Sequence, residues 1–162
     1  MTENEETRGN AVRPDAVVYR EEFTVPAGAI DGNGHVNNVA YVRWMQDLAV
    51  HHFEALGGMG AMRISGGTWV VRSHRIEHLC PAHAGERIRA ETCVVDCGRV
   101  RSHRRYRFTR PADGTLLAQG ETEWVFVDAQ TGRPRSIPEA VRHVFAFGPN
   151  NQAARTCSGG GR

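Results

Sequence analysis

A single long segment of helical periodicity is followed by several segments of strand character, and this order limits the folds that the chain can adopt. From about Asn38 the side chains of one face recur at steps of three and four residues: Tyr41, Met45, Leu48, His52, Phe53 and Leu56. Steps of this size are typical of a helix with one buried face. Gly57 and Gly58 end the pattern, so the sequence predicts one long helix from about Asn38 to Leu56.

Segments of strand character precede and follow that helix in the sequence. Residues 17–25 are rich in β-branched and aromatic side chains and end at Pro26. Beyond Gly66 four more strands are predicted, separated by turn-forming residues: 68–79, 86–96, 100–110 and 115–127. A short helix over residues 138–147 closes the pattern, with Pro138 early in it. This order predicts an α+β fold in which an antiparallel sheet wraps around one long central helix.

Composition places the chain among ordinary globular domains. Its 162 residues and 40% hydrophobic content are enough for one domain with a sizeable core. Residues 1–16 are polar without an apolar repeat, and Pro, Asn, Ser and Gly are frequent from Gly148 onward. We therefore expect a disordered leader over 1–16, a single domain over 17–147 and a flexible tail over 148–162.

Charge and hydropathy argue against nucleic-acid and membrane partners. The net charge of +2 is too small to indicate a nucleic-acid surface. No run approaches the roughly 18 apolar residues of a membrane-spanning helix, and the N-terminal segment lacks the apolar core of a signal peptide. The cytoplasm is therefore the expected location. Because no Cys or His spacing typical of a metal site is present, no metal is expected, and no other cofactor is called for.

A glycine-flanked polar loop directly precedes the predicted helix. It reads Asp-Gly-Asn-Gly-His-Val-Asn-Asn over residues 31–38, and Asn37 and Asn38 are good helix N-cap residues. The unpaired N–H groups at a helix N-terminus favour a developing oxyanion, so an acid or base beside them suits acyl transfer or hydrolysis. The structural alternative is an Asx-rich loop that only caps the helix, with a structural role for His35.

These residues also carry a family resemblance. The pattern D-x-N-G-H-V-N-N-x-x-Y-x-x-W, which begins at Asp31, resembles the signature of hotdog-fold thioesterases of the 4-hydroxybenzoyl-CoA thioesterase type. Asp31 matches the catalytic aspartate of that family. The D-x-N-x-H core also resembles the acyl-carrier-protein thioesterases of plants, and Asn33 and His35 match further site residues there. The resemblance implies a hotdog fold for the predicted order of one strand, one helix and four strands.

The resemblance implies hydrolysis of an acyl thioester carried on coenzyme A or acyl carrier protein. Asp31 would act as a general base on water or as a nucleophile, and Asn33 and His35 would orient Asp31 or the water. The N–H of Asn38 would bind the thioester carbonyl. Tyr41 belongs most simply to the packing surface of the helix, with a substrate-binding role as the alternative. Hotdog proteins pair protomers around their active sites, so a homodimer or homotetramer is implied.

Two other functions remain open at this stage. A dehydratase or hydratase of acyl thioesters would share the fold but use a different set of residues. A non-catalytic acyl-thioester binding module would use the loop only as a helix cap.

Two further polar patterns lie on the predicted strands. Arg101, His103, Arg105 and Arg107 alternate with Val100, Tyr106 and Phe108, so they share one face of a strand. They would either contact phosphates or pair across to acidic residues of the next strand, where a short loop would set Arg105 opposite Glu121. His74 and His78 are interpreted as ordinary sheet residues. Glu77 is the nearest candidate for the later carboxylate of the plant enzymes, although its match to that position is weak.

Overall fold

The computed structural model describes residues 18–146 of the chain. The strands are β1 (Tyr19–Thr24), β2 (Gly67–His78), β3 (Arg87–Cys97), β4 (Arg101–Arg110) and β5 (Thr115–Asp128). The helices are α1 (Asn38–Ala55), α2 (Gly58–Ser65) and α3 (Glu139–Ala146), and one 3₁₀ turn spans Ala27–Ala29. The predicted order of one strand, a long helix and four strands is confirmed, and so is the closing helix.

The five strands form one antiparallel sheet in the order β1-β3-β4-β5-β2. The strands β3, β4 and β5 are joined by turns and pair with their neighbours in sequence. Strand β2 does not pair with β3; it pairs with β5 at the far edge of the sheet. The sheet is therefore open, and β1 and β2 are its two edge strands.

Helix α1 packs its apolar face against this sheet. Asn37 caps its N-terminus, because the side-chain oxygen of Asn37 accepts a hydrogen bond from the N–H of Val39 at 2.8 Å. Gly57, at a φ of 76°, ends the helix in the left-handed region that favours glycine. The buried residues of α1 are Tyr41, Met45, Leu48, Ala49, His52 and Phe53. Burying each large apolar side chain stabilises the fold by about 1.5–3 kcal/mol, so this face fixes the helix on the sheet.

The sequence pattern did not predict helix α2. Glycines at positions 57, 58 and 60 are poor helix formers and are typical of a loop. The packing explains the glycine at the helix start, since a Cβ on Gly58 would lie 2.2 Å from Cε2 of Phe53. The first turn of α2 therefore lies directly against the end of α1, where a larger residue would not fit.

The register of the sheet confirms the predicted faces of β4. Tyr106 and Phe108 are buried, and Arg105 lies opposite Glu121 on β5. On the same outer face His103 Nε2 lies 3.0 Å from Glu123 Oε2, and Arg101 lies 3.3 Å from Glu123 Oε1. Cross-strand pairing therefore accounts for much of this polar row.

The predicted leader over 1–16 and tail over 148–162 lie outside the described residues, as do residues 17 and 147. The single domain over 17–147 accordingly stays a prediction at its two ends. Within residues 18–146, no helix has the length and apolar content needed to cross a membrane.

Candidate active site

The loop before α1 is a small hairpin held by its own backbone. Ile30 and Val36 form an antiparallel bridge, and the N–H of Asp31 donates to the carbonyl of His35 at 2.9 Å. Gly34 has a φ of 78°, a left-handed conformation that lets the chain turn back at this point. The N–H of Val36 donates to the carbonyl of Ala82 at 2.9 Å, which ties the loop to the connection between β2 and β3.

The carboxylate of Asp31 lies inside this turn and is half-buried. Its Oδ1 accepts hydrogen bonds from two backbone N–H groups, that of Asn33 at 2.9 Å and that of His35 at 3.4 Å. Within the described part of the chain, the side chains of Asn33 and His35 form no hydrogen bond to it. The loop backbone therefore holds the carboxylate in place.

The start of α1, which directly follows the Asp31 loop in sequence, contributes a backbone donor. The side chain of Asn37 already binds the N–H of Val39, and the carbonyl of Asn37 accepts from Ala40 at 3.0 Å. The N–H of Asn38, the first residue of the helix, has no hydrogen-bond acceptor among residues 18–146. It is therefore a free donor at the positive end of the helix dipole.

A cavity of about 330 Å³ opens in front of these groups. All five residues singled out from the sequence lie on its wall: Asp31, Asn33, His35, Asn38 and Tyr41. The carboxylate, the loop and the first turn of α1 thus surround one volume. That arrangement can hold a carbonyl group between a carboxylate and a backbone donor.

Tyr41 is part of the packed core as well as of the cavity wall. Its side chain is buried, and its ring contacts the rings of Trp44, His78 and Phe108 with centroids 5.1–5.2 Å apart. Burial, with the charge of Glu86 adding to it, raises the pKa of Tyr41 to about 12. Tyr41 is therefore a neutral hydroxyl at ordinary pH, and its packing role is clear from these contacts.

Two histidines that the sequence pattern did not assign to the loop lie close to it. His78 lines the cavity, and the ring of His83 lies edge-on to that of His35 at 5.2 Å. His83 is held in turn by Glu86, whose Oε2 accepts the His83 N–H at 3.2 Å and whose Oε1 lies 3.3 Å from His83 Nδ1. His78 is exposed but shares a strand face with Ile76, which packs against the core, and that shared face is the signal that it lies on the cavity side of the sheet.

Glu77 lies elsewhere. Its Oε2 accepts a hydrogen bond from Gln119 at 2.7 Å, and Oε1 accepts one from Arg75 at 3.1 Å. It does not line the cavity, so the structure gives no support for a carboxylate at that position of the site. In residues 18–146 no three His, Cys, Asp or Glu side chains are grouped closely enough to hold a metal ion.

Known proteins resemble this chain in sequence. A model of the thioesterase-like superfamily matches residues 25–145. An L-carnitine dehydrogenase/betainyl-CoA thioesterase from Ruegeria pomeroyi is 31% identical over 123 residues, which are 75% of this chain and 25% of that protein. The chain thus spans about a quarter of the length of the curated relatives it matches.

Solved structures share its fold. The protein SAV2348 from Staphylococcus aureus, solved in complex with CoA, has a TM-score of 0.74 and 20% identity, and the match covers 87% of this chain and 89% of that one. The 1,4-dihydroxy-2-naphthoyl-CoA thioesterase Slr0204 from Synechocystis has a TM-score of 0.71 and 15% identity over 79% of this chain and 95% of that one. The fold is the predicted hotdog fold, and the chain belongs to the thioesterase-like superfamily.

Proposed function

We propose that the chain is an acyl thioesterase, which hydrolyses an acyl thioester on coenzyme A or acyl carrier protein to the free acid and the thiol. The observation that carries this proposal is that Asp31, whose carboxylate is held by the loop backbone, lines one cavity with Asn38, whose N–H has no acceptor among residues 18–146. The superfamily supports it, and so do the names of the relatives, which include a betainyl-CoA thioesterase and a 1,4-dihydroxy-2-naphthoyl-CoA thioesterase.

The thioester carbonyl would accept a hydrogen bond from the N–H of Asn38. Negative charge grows on that oxygen as a nucleophile attacks the carbonyl carbon, and a fixed donor in a partly enclosed site stabilises the growing charge. The macrodipole of α1 acts in the same direction. The Asn37 cap keeps the helix start in place without using the Asn38 N–H.

Asp31 acts in one of two ways. As a general base it takes a proton from water, the water oxygen bonds to the carbonyl carbon, and the C–S bond breaks as the thiolate leaves and takes up a proton. As a nucleophile it attacks the carbonyl carbon itself, which releases the thiolate and forms an acyl anhydride that water then hydrolyses. In both cases Asp31 acts through its carboxylate, whose Oδ1 is held in place by the backbone N–H groups of Asn33 and His35.

The other residues of the cavity have supporting roles in this proposal. Asn33 and His35 position Asp31 through their backbone, and the side chain of His35, which lines the same cavity, would orient the water. Tyr41 forms the apolar side of the substrate site.

The proposed assembly is a homodimer or a homotetramer. Strand β2 lies at an edge of the sheet, and Val70, Val71 and Leu79 on and beside it are 42%, 36% and 50% exposed. An unpaired edge with exposed apolar side chains favours pairing with a second copy. Sedimentation at micromolar concentration should show a species of at least twice the monomer mass, and a monomer alone would contradict the proposal.

The activity is tested by incubating the purified protein with a panel of acyl-CoA and acyl-carrier-protein thioesters and a free-thiol reagent. Thiol release that depends on the protein supports the thioesterase. Loss of an enoyl chromophore without thiol would identify a hydratase, and binding without either reaction would identify a binding module. A panel that crosses acyl length with carrier also identifies the substrate.

A further inference from the structure

A second cavity lies at the other half of α1. Its volume is about 200 Å³, and it is partly open to solvent. Half of the residues that line it are aromatic or sulfur-containing, and they come from α1, α2, β2, β5 and α3: Phe53, Met59, Met62, Trp69, Trp124 and Phe145. It shares no lining residue with the cavity at Asp31. Asn38 and Phe53 are 15 positions apart on one helix, which corresponds to roughly 22 Å of helix axis.

One charged side chain lies in the wall of this apolar cavity. Arg104 on β4 is only 3% exposed, and its guanidinium carbon lies 5.9 Å from the centre of the Phe145 ring. Its Nη1 lies 2.8 Å from His52 Nδ1 and donates a hydrogen bond to Thr92 Oγ1 at 3.2 Å. Among residues 18–146, no carboxylate forms an ion pair with it. By contrast, the less buried Arg110 pairs with both Glu86 and Asp113.

The histidine beside Arg104 supplies no negative charge. Burial, followed by the positive charge of Arg104, lowers the pKa of His52 to about 3, so the imidazole is neutral. Because Arg104 is always a donor, His52 Nδ1 must accept, and the imidazole proton is on Nε2. A buried guanidinium thus has two neutral acceptors and an apolar cavity beside it. A buried charge without a counter-charge is costly, and an anion in the cavity would reduce that cost.

We propose that this cavity binds a small carboxylic acid with an apolar body, whose carboxylate pairs with the guanidinium of Arg104. The chemistry of the wall selects this class of ligand. The aromatic and methionine side chains favour a ring or a short alkyl chain, and an apolar cavity of about 150 Å³ is enough to hold benzene. A cationic ligand is repelled by Arg104, and a neutral ligand leaves the charge of Arg104 uncompensated. The inference does not depend on the proposed thioesterase activity, although an acid of this kind is the class of product that such a reaction releases.

Binding is tested by calorimetry on the wild-type protein with benzoate and hexanoate, each compared with its amide. The acid and its amide have nearly the same shape and differ in charge, so they isolate the contribution of the ion pair. We expect the acids to bind at least about tenfold more tightly than the amides. Equal affinity for acid and amide, or no binding of either acid at millimolar concentration, would overturn the proposal.

The location is tested with the four methionines of the chain as reporters. With methyl-labelled methionine, the NMR signals of Met59 and Met62 should shift on addition of benzoate, because both line the cavity. Met45 does not line it and serves as the internal reference. Shifts that spare Met59 and Met62 would place the acid elsewhere and contradict the proposal.

The role of Arg104 is tested with Arg104→Gln, which should abolish the preference for acid over amide. Arg105→Gln is the matched control, since Arg105 is the next residue on the same strand and faces the opposite side of the sheet. If Arg104→Gln does not fold, Met62→Trp provides a second test, because it fills the cavity and leaves the arginine in place. Unchanged benzoate affinity in folded Arg104→Gln or in Met62→Trp would overturn the proposal.

Discussion

The two cavities lie against opposite halves of α1, and the positive electrostatic potential of each has a different source. The cavity at Asp31 has backbone N–H groups, which carry partial charge and belong to a turn and a helix start. The cavity at Arg104 has a full charge on a side chain, surrounded by aromatic rings and methionines. The first cavity is lined by the hairpin loop, the start of α1 and residues 78–82, and the second by side chains from six elements of the fold.

This difference corresponds to different tasks. Partial charges on fixed N–H groups stabilise an anion that exists only during a reaction, since they need no counter-charge in the resting state. A buried guanidinium suits a ligand that is permanently an anion, because without one its charge lacks compensation. The comparison therefore supports our two proposals, catalysis in the Asp31 cavity and ligand binding in the Arg104 cavity.

The largest effect is expected from removing one backbone donor in the Asp31 cavity. Asn38→Pro deletes the N–H at the first helical position, where proline is well tolerated. Asn37 has φ −62° and ψ 140°, which is compatible with a following proline. We expect kcat for thioester hydrolysis to fall by about 10²–10³-fold with the fold retained. Asn38→Ala keeps the N–H, so its kcat should fall far less. An equal fall of kcat in both variants would mean that the side chain of Asn38 matters and its N–H does not.

The next effect concerns the neutral histidine beside Arg104. His52 has a pKa of about 3 in the folded protein, against about 6.5 when unfolded. The unfolded chain therefore takes up a proton as the pH falls below that unfolded value, and the folded protein does not do so until about pH 3. This should lower the free energy of unfolding by about 2 kcal/mol between pH 7 and pH 5. In urea unfolding, the free energy of His52→Gln should not show this fall between pH 7 and pH 5. An identical pH dependence in the variant and the wild type would contradict the prediction.

A smaller effect is expected at His35. Its backbone N–H binds Asp31 while its ring contacts His83, so His35→Gln preserves the position of the carboxylate. We expect kcat to fall by no more than about tenfold, below the usual contribution of a group that transfers a proton. Steady-state kinetics with the best thioester measure this. A loss of about 10²-fold would show that the imidazole itself moves a proton.

The smallest effect is expected on the outer face of the sheet, away from both cavities. Arg105 lies opposite Glu121, and exposed pairs of this kind contribute little. Arg105→Gln should change the free energy of unfolding by less than about 0.5 kcal/mol and leave KM unchanged. A raised KM in the variant, together with a KM of the wild type that rises steeply with salt, would show that this row binds phosphates of the substrate carrier.

The sequence predicted those features that depend on neighbours along the chain. Five cavity residues lie within 11 consecutive positions, so one motif found Asp31, Asn33, His35, Asn38 and Tyr41 together. The pairing of Arg105 with Glu121 followed from the length of a single turn. In both cases local geometry is enough to bring the side chains together.

Features that depend on distant pairing were not predicted. His83 lies close to the loop because the connection after β2 is hydrogen-bonded to Val36. No residue spacing in the sequence predicts that contact. The burial of Arg104 was not predicted, although strand alternation places it on the same face as Tyr106. Its side chain is buried because α1, α2 and α3 cover that face of the sheet. Helix α2 was not predicted, since its glycines are typical of a loop.

The central claim, that the Asp31 cavity hydrolyses thioesters, is tested most directly by thiol release from the best acyl thioester with wild-type and Asp31→Asn protein side by side. The substitution keeps the shape and one acceptor oxygen but removes the charge that a base or a nucleophile needs. We expect kcat to fall by about 10²-fold or more, with circular dichroism and sedimentation unchanged. A loop that only caps the helix would instead change stability by about 1 kcal/mol and leave turnover normal. Wild-type turnover in folded Asp31→Asn protein would remove this carboxylate from the mechanism and contradict the account.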